Sequence, residues 1–241
     1  MTKISPKIYD EQKIWGLDGN ETYFMTNRSN VDHLYRSEKF FMPEVLKKVR
    51  NCLDVGCACG DFSAIFKHYN SLVDYTGVDI IERFVHIAQE RHPQSHFEVA
   101  DGTNLSFKDN SFELVHSSGI LHLNSRYQDI VREMYRVSSR YLLCDFRLTD
   151  GPQVIGQMDV NLVGQNNILQ TLPYYVVNFK EHMDFLKSLS PSPVRIEVKG
   201  YMHSPSKNAH IPLRNIYMAF FLMTKNPQKP SNCQIEINLG L

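Results

Sequence analysis

Seven residues, Asp54 to Gly60, form the stretch of this sequence that best suits a nucleotide-binding loop. Gly56, Ala58 and Gly60 are small and alternate with other residues, so the backbone can approach a ligand closely. A helix directly after the loop would present its free N–H groups to that ligand. The spacing Gly-x-Ala-x-Gly differs from the Gly-x-Gly-x-x-Gly of dinucleotide-binding enzymes. Asp61 stands where the third glycine would be, and its charge would repel a pyrophosphate.

Two further carboxylates follow at positions where strands are predicted to end. Asp79 comes 23 residues after Gly56, and a carboxylate there can accept both ribose hydroxyls of a nucleoside. Asp101 and Gly102 follow the next predicted strand, where a carboxylate and a backbone N–H can bind the amino edge of adenine. Each feature alone is also typical of a helix cap or a turn. Because the carboxyl ends of parallel strands border one crevice, the three features together predict one nucleoside site.

The elements that must position these residues alternate between short apolar strands and amphipathic helices from residue 51 onward. This alternation is typical of a parallel sheet covered by helices on both faces. Strands are predicted at 52–55, 75–79, 96–100, 112–116 and 141–146, and helices from about 61, 82 and 124. Residues 149–177 lack periodicity and are predicted to be an inserted loop or lid. A helix capped by Asn178 and an antiparallel pair of strands, 194–201 and 216–223, follow.

Residues 1–50 are predicted to form an N-terminal cap that belongs to the same domain. Residues 15–20 are rich in turn-forming types, Ser29 is expected to cap a first helix, and Pro43 fits the first turn of a second one. Residues 51–225 are predicted to form the ligand-binding domain, and residues 226–241 a polar C-terminal tail.

Together these segments resemble the class I methyltransferase family, which depends on S-adenosylmethionine (SAM), and in particular its small-molecule subgroup. The resemblance covers about residues 45–147. It is carried by Leu53–Gly60, Gly77–Asp79, Ala100–Gly102, Phe107–Val115 and Glu133–Val137. It implies an α/β fold: a doubly wound, Rossmann-like sheet of seven strands, parallel with an antiparallel last strand, with the helical cap and an insertion after strand five. Ala58 departs from the usual glycine and would need a negative φ or some strain.

The resemblance also implies SAM as the cofactor and assigns residues to it. The implied cofactor-binding residues are Asp54, Gly56, Cys57, Ala58, Gly60, Asp79, Ile80, Asp101, Gly102 and Ser117. The loop would face the methionine portion of SAM, with Asp54 near its ammonium group and Ser117 on the same side. Asp79 would hold the ribose, and Asp101 with Gly102 the adenine.

His122 is the candidate general base, because a histidine at the mouth of the crevice titrates near neutrality. Packing over the cofactor is the alternative role for His122, and His116 is expected to be a hydrogen-bonded core residue. Aromatic rings of the cap and the insertion are candidates for walling off the sulfonium: Tyr23, Tyr35, Tyr174 and Tyr175. The acceptor pocket is therefore expected between the cap and residues 149–177.

The amino-acid composition restricts the classes of binding partner that are expected for this protein. Acidic and basic residues balance at 26 each, which provides no overall electrostatic footprint for a nucleic-acid backbone, so a small-molecule acceptor is expected. The five cysteines follow no disulfide or zinc-site spacing, and no metal is predicted. No signal peptide or membrane-spanning run is recognised. The protein is thus expected to be cytoplasmic, without a membrane partner, as a monomer or homodimer.

Three functions remain open at this stage. The first is methyl transfer to an oxygen, nitrogen or carbon atom of a small molecule. The second is an RNA or protein methyltransferase, which would need a basic groove or a docking element that the sequence does not show. The third is a non-catalytic SAM-binding regulator. The segment Ser117–His122 lacks the Asp/Asn-Pro-Pro-Tyr motif of adenine and glutamine methyltransferases, which disfavours those substrates.

Overall fold

The computed structural model describes residues 14–16, 20–160, 170–226 and 233–241. The strands are β1 (Asn51–Val55), β2 (Asp74–Asp79), β3 (His96–Val99), β4 (Phe112–Ser117), β5 (Ser138–Thr149), β6 (Val154–Val160), β7 (Gln170–Asn178), β8 (Arg195–His203), β9 (Ala209–His210), β10 (Ile216–Thr224) and β11 (Gln234–Asn238). The helices are α1 (Asn20–Asn27), α2 (Arg36–Leu46), α3 (Phe62–Tyr69), α4 (Glu82–Arg91), α5 (Tyr127–Val137) and α6 (Phe179–Lys187). Short 3-10 helices occupy Val31–His33 and Leu121–Leu123.

The central sheet has the strand order β11-β8-β10-β5-β4-β1-β2-β3. Strands β3, β2, β1, β4 and β5 run parallel, and β10 is antiparallel to both of its neighbours, β5 and β8. One layer of helices, α2 to α4, packs on one face of the sheet, and α5 and α6 pack on the other. The α/β fold with helices on both faces and an antiparallel terminal pair is confirmed.

The C-terminal segment departs from the predicted polar tail. Gln234–Asn238 form β11, which pairs in parallel with β8 and adds an edge strand beyond the seven expected. Its Glu236 is held by two basic side chains of β8, since Arg195 and Lys199 donate to it at 2.8 and 3.0 Å. Cross-strand ion pairs support this edge strand, whose isoleucines Ile235 and Ile237 remain exposed. The domain boundaries themselves stay predictions.

In its described part, residues 149–160 and 170–177, the insertion is not the irregular loop that the sequence suggests, and there the prediction is wrong; residues 161–169 lie outside the described residues. Strands β6 and β7 pair antiparallel, β9 pairs with β6, and β7 meets the end of β5 at Leu148↔Val177. In β7 the alternate residues Leu172, Tyr174 and Val176 are buried, the period of a strand with one covered face. The polar Gln and Asn residues of the segment obscured that short alternation.

The N-terminal cap also differs from its prediction. Asn30, not Ser29, caps the first short helix by accepting a hydrogen bond from the Asp32 N–H at 2.9 Å. Pro43 lies inside α2 rather than opening a second helix. Glu38 fixes the earlier start, because its carboxylate accepts the Tyr35 backbone N–H at 3.1 Å in the manner of a capping box. Helix α1 begins at Asn20, at the end of the segment predicted to be turns.

No helix among the described residues is long and apolar enough to cross a membrane.

Candidate functional site

A cavity of about 660 Å³ opens at the carboxyl ends of β1, β2, β3 and β4. This is the crevice where open α/β sheets bind ligands, and the volume is in the range of ligand pockets. Eight of the sequence-predicted residues line it: Gly56, Cys57, Ala58, Asp79, Ile80, Asp101, Gly102 and His122. Asp54, Gly60 and Ser117 are not part of its lining.

The loop after β1 turns sharply along the cavity floor. Gly56 has φ +81°, and a Cβ there would lie 2.8 Å from a methyl group of Ile120, so only glycine fits. Ala58 has φ +46°, in the left-handed region, and therefore takes the strained alternative rather than a negative φ. Its backbone N–H donates to Asp79 Oδ2 at 2.9 Å, which ties the loop to the end of β2.

Replacing Ala58 with glycine is expected to raise the free energy of unfolding by about 0.5–1 kcal/mol. An alanine in the left-handed region costs roughly 1–2 kcal/mol. The greater freedom of glycine in the unfolded chain reduces the gain from removing that strain by about 0.4–1 kcal/mol. Chemical denaturation measures the difference. The matched control is Ala100→Gly, because Ala100 also borders the cavity but does not have a positive φ. This variant should be less stable than the wild type. A lower stability for Ala58→Gly would contradict the strain.

Asp79 is placed to hold a diol. Its Oδ2 accepts the Ala58 N–H and its Oδ1 the Ile81 N–H, both at 2.9 Å. A carboxylate has about four acceptor positions, so two backbone bonds leave capacity on both oxygens. Burial raises the pKa of Asp79 to about 6, against the opposing effect of the backbone hydrogen bonds. The group is therefore an anion at neutral pH, ready to accept hydroxyl donors.

Asp101 and Gly102 close the next side of the cavity. Asp101 Oδ1 accepts both the backbone N–H and the hydroxyl of Thr103, at 2.8 and 2.7 Å, and its Oδ2 lies 3.6 Å from the Arg126 guanidinium. A Cβ on Gly102 would come within 3.1 Å of Val55. The small residue thus keeps the backbone close to the apolar wall below it.

Three predicted ligand-contacting residues lie outside the cavity lining and support the scaffold, so their contact with a ligand stays a prediction. Asp54 is buried and accepts hydrogen bonds from Tyr75 and His116. Gly60, with φ +82°, is required because a Cβ would meet Ala88 and Phe97 at 2.8 Å. Ser117 is buried and donates to the Val55 carbonyl. Side chains alternate along a strand, so the next residue, Ser118, faces the cavity.

Asp61 does not act as a free negative charge at the helix start. Arg91 donates to both of its oxygens at 2.7 Å. Burial would raise the Asp61 pKa, but the nearby His92 ring, 3.8 Å away, and the hydrogen bonds from Arg91 outweigh burial and lower it. The expected repulsion of a pyrophosphate is therefore largely compensated. What disfavours a dinucleotide here is the side chain itself, which occupies the position of the third glycine.

A line of buried groups with alternating charge runs from the cavity into the core. Arg28 donates to Glu38 at 2.8 Å, the Glu38 carboxylate lies 3.2 Å from His116 Nε2, and Asp54 lies 2.7 Å from His116 Nδ1. Tyr75 completes the line by donating to Asp54 at 2.6 Å. We call these five residues the buried charge line. The core role expected for His116 is confirmed.

The buried charge line keeps His116 protonated. Burial alone would lower its pKa, but the hydrogen bond and charge of Asp54, and then Glu38, raise it to about 9. Glu38 responds in the opposite sense: burial would raise its pKa, and Arg28 and His116 lower it. Positive and negative groups thus neutralise one another where water is excluded.

Because the pKa of His116 is raised, its contribution to stability should be complete below about pH 6.5 and lost as the pH rises through about 9. Nitrogen chemical shifts from NMR are expected to show a doubly protonated His116 ring at pH 8. The exposed His96 ring provides an internal comparison. Titration of His116 close to 6.5 would contradict the assigned ion pairs.

Comparisons with known proteins match this geometry. Residues 53–140 match the family model of the methyltransferase domain. The matched segment, residues 53–140, is a methyltransferase domain. One similar solved structure is a SAM-dependent methyltransferase of Methanosarcina mazei, with 16% identity and a TM-score of 0.58, covering 80% of this chain and 98% of that one.

Two further structures share the fold. Phosphoethanolamine N-methyltransferase 2 of Haemonchus contortus, solved with phosphomonomethylethanolamine and S-adenosylhomocysteine, has 17% identity and a TM-score of 0.60, covering 92% of this chain and 61% of that one. A SAM-dependent methyltransferase of Thermotoga maritima, described as a possible histamine N-methyltransferase, has 17% identity and a TM-score of 0.51, covering 89% and 99%. At these identities the likeness establishes the fold.

The far end of the methyltransferase cavity is formed by the cap and by the β6–β7 sheet. Tyr23 and Tyr35 of the cap and Tyr174 of β7 line it, whereas Tyr175 packs against Tyr127 on the other side. Arg28 lies over the Tyr35 ring, 4.3 Å from its centroid. Three of the four predicted tyrosines are therefore brought to one wall.

His122 lines this wall of the methyltransferase, but the reason given for it as a base needs correction. The ring is buried, stands edge-on to Tyr174 at 5.2 Å, and its Nδ1 has no hydrogen-bond partner in the described residues. Burial, followed by the charges of Arg147 and His203, lowers its pKa well below the ordinary value. His122 is thus neutral at physiological pH and does not titrate near neutrality.

Five cavity or network residues escaped the sequence analysis: Arg28, Glu38, Ser118, Asp145 and Arg147. Asp145 and Arg147 offered a readable signal, because two charged residues interrupt an apolar strand near its carboxyl end. Arg28 and Glu38 offered none, since an arginine and a glutamate in a helical cap are ordinary surface residues until packing covers them.

Proposed function

We propose that this protein transfers the methyl group of SAM to a small-molecule acceptor. The observation that carries the proposal is the single cavity that joins the nucleoside-type residues Asp79 and Asp101 to the aromatic wall of Tyr35 and Tyr174. The cap and the β6–β7 sheet cover that wall, which favours a compact acceptor over a polymer. The small-molecule substrates named for the structural neighbours support the same reading.

The residues present fit SAM. Asp79 offers two acceptor oxygens to the ribose, and Asp101 with Gly102 borders the adenine end of the cavity. The loop from Gly56 to Ala58 lets the backbone approach the methionine portion. With Asp54 occupied in the core, Arg28 is a cation that lines the cavity on this side, lying over Phe62 at 5.1 Å. We assign the methionine carboxylate to Arg28.

When bound, SAM supplies an electrophilic methyl group on a sulfonium. The protein contributes chiefly by positioning, which can account for about 7–11 kcal/mol of a barrier in well-oriented reactions. Tyr23, Tyr35 and Tyr174 exclude water from the reacting atoms. The neutral His122 ring can accept a proton from an acceptor hydroxyl or ammonium group as its nucleophile forms.

Exchange of His122 for alanine is expected to lower kcat by about 10²-fold or more, the usual contribution of a general base. His122→Ala should leave the affinity for S-adenosylhomocysteine unchanged, because the cofactor contacts lie at the opposite end. Its low pKa predicts that kcat stays flat between pH 6.5 and 8. Unaltered turnover in the variant would reduce His122 to a packing residue.

Incubation with methyl-labelled SAM tests the acceptor class. Separate reactions contain a small-metabolite extract, total RNA and a protein extract, each with the wild type and, at a SAM concentration that saturates only the wild type, with Asp79→Ala as the control impaired in SAM binding. We expect label in low-molecular-weight products, with less of it from Asp79→Ala than from the wild type. Label in RNA or protein would contradict the small-molecule proposal.

A cytoplasmic location is retained as part of the proposal. The five cysteines are all free thiols in the structure, and unpaired buried cysteines are typical of a reducing compartment.

A further inference from the structure

Arg147 stands out on the wall opposite the cofactor-binding residues. It lies near the carboxyl end of β5, where Asp145 is the other charged residue of a largely apolar segment, and it is only 6% exposed, yet it lines the cavity. The guanidinium lies over the Tyr35 ring at 5.5 Å. A long cationic side chain held in such a buried wall needs polar partners.

The protein supplies only part of those partners. Asp145 Oδ2 accepts from Arg147 Nη1 at 2.6 Å, and the Met218 sulfur contacts the same nitrogen. The Tyr174 hydroxyl interacts with the guanidinium, which partly offsets the rise that burial gives the Tyr174 pKa. A guanidinium has five N–H groups, whereas the contacts just described supply three acceptors. Because the described residues provide no more than these, some guanidinium N–H groups are available to a ligand.

Asp145 is shared between two donors rather than reserved for Arg147. Its Oδ1 accepts the Gly119 N–H at 2.6 Å, while its Oδ2 receives Arg147. The carboxylate thereby fixes the orientation of the guanidinium and also the loop after β4. A buried arginine held in one geometry loses little entropy on binding a planar or tetrahedral anion.

Asp145 compensates much of the Arg147 charge, but the other polar groups beside the guanidinium are compatible with an anion. His122 and His203 line the same wall, and burial together with the Arg147 charge lowers the pKa of both rings. They remain neutral and present polar ring nitrogens without competing charge. The acidic group on this wall, Asp159, is engaged by His210 at 2.6 Å.

We propose that Arg147 binds an anionic group of the methyl acceptor, a phosphate or a carboxylate, and so determines the substrate class. Paired N–H donors of arginine match both anions in geometry, and the Tyr174 hydroxyl adds a donor beside them. The inference rests on the methyl-transfer function proposed above. It predicts acceptors in which the nucleophile and an anionic group are separated by a short spacer.

Calorimetry on protein saturated with S-adenosylhomocysteine tests the inference, with inorganic phosphate and acetate as separate probes. We expect the wild type to bind at least one of them, and Arg147→Met to weaken that binding at least tenfold. Arg147→Lys should retain part of it. Arg140→Met is the matched control, because Arg140 lies on the same strand, exposed and outside the cavity lining, and should leave binding unchanged.

The outcomes separate the two proposals. Stronger binding of phosphate than of acetate assigns a phosphorylated acceptor, and the reverse assigns a carboxylate. Absence of anion binding by the wild type, or equal binding by Arg147→Met, overturns the inference. If the wild type binds S-adenosylhomocysteine in the same experiment, the proposed function is unaffected. If Arg147→Met does not fold, the same comparison is made with Arg147→Lys. An anion affinity and a phosphate-to-acetate preference that both equal those of the wild type then overturn the inference. Failure of the wild type to bind S-adenosylhomocysteine removes the proposed function and this inference with it.

Discussion

Replacing Asp54 with asparagine is expected to lower the free energy of unfolding by about 3–5 kcal/mol, the usual cost of removing one partner from a buried ion pair. Asp54 is 2% exposed and lies 2.7 Å from the protonated His116. The amide cannot neutralise that ring, and its NH₂ group would face a donor. Urea unfolding measures the loss, and the same variant should return the His116 pKa toward its ordinary value.

Tyr75→Phe is the matched control for Asp54→Asn. It removes the other hydrogen bond to Asp54, at 2.6 Å, without removing a charge, and should cost about 1.5 kcal/mol. A loss of less than 1 kcal/mol for Asp54→Asn, together with an unchanged His116 titration, would contradict the buried charge line as an ionic network.

Replacing Asp79 with asparagine is expected to weaken S-adenosylhomocysteine binding by about 1–3 kcal/mol, or roughly 5- to 150-fold. The amide offers one acceptor oxygen where the carboxylate offers two charged ones. The stability of the folded protein should change little, because the burial cost of the charged carboxylate is relieved while one of its two backbone hydrogen bonds, from Ala58 or Ile81, is lost. Calorimetry and urea unfolding measure the two effects separately.

The pKa of Asp79 adds a pH test with a definite sign. The group is charged above about pH 6 and neutral below it, so affinity for the cofactor should fall as the pH drops through 6 and approach tenfold per pH unit below it. Accordingly kcat/KM for SAM should decline below pH 6, while kcat at saturating SAM declines less. Asp74→Asn, at the exposed start of the same strand, is the control and should keep the wild-type profile. If Asp79→Asn showed the same pH profile of kcat/KM as the wild type, Asp79 would not belong to the site.

The sequence predicted the cofactor end well because that end is built from local backbone features. Strand ends at Asp79 and Asp101 and a turn through Gly56 are readable from composition and spacing, and all three line the cavity. Asp54 and Ser117, which the sequence also assigned to the ligand, lie within one position of the lining residues Val55 and Ser118. Which side of a strand end a side chain takes depends on register and twist, and spacing alone does not determine it.

The residues contributed by the cap and by the insertion were less predictable because they gain their roles through packing between distant segments. Glu38 meets His116 across 78 positions, and Arg28 meets Ser118 across 90. A helical cap with a surface-like glutamate gives no sign of such burial. The β6–β7 pairing was hidden likewise, since its polar composition outweighed an alternation of only three buried residues.

Calorimetry of the wild type with S-adenosylhomocysteine and with NAD tests the central claim, that the cavity at Asp79 and the Gly56 loop is a SAM site. We predict saturable binding of S-adenosylhomocysteine, lost largely in Asp79→Asn and kept in Asp74→Asn, and no binding of NAD. Binding of NAD without binding of S-adenosylhomocysteine would contradict the account.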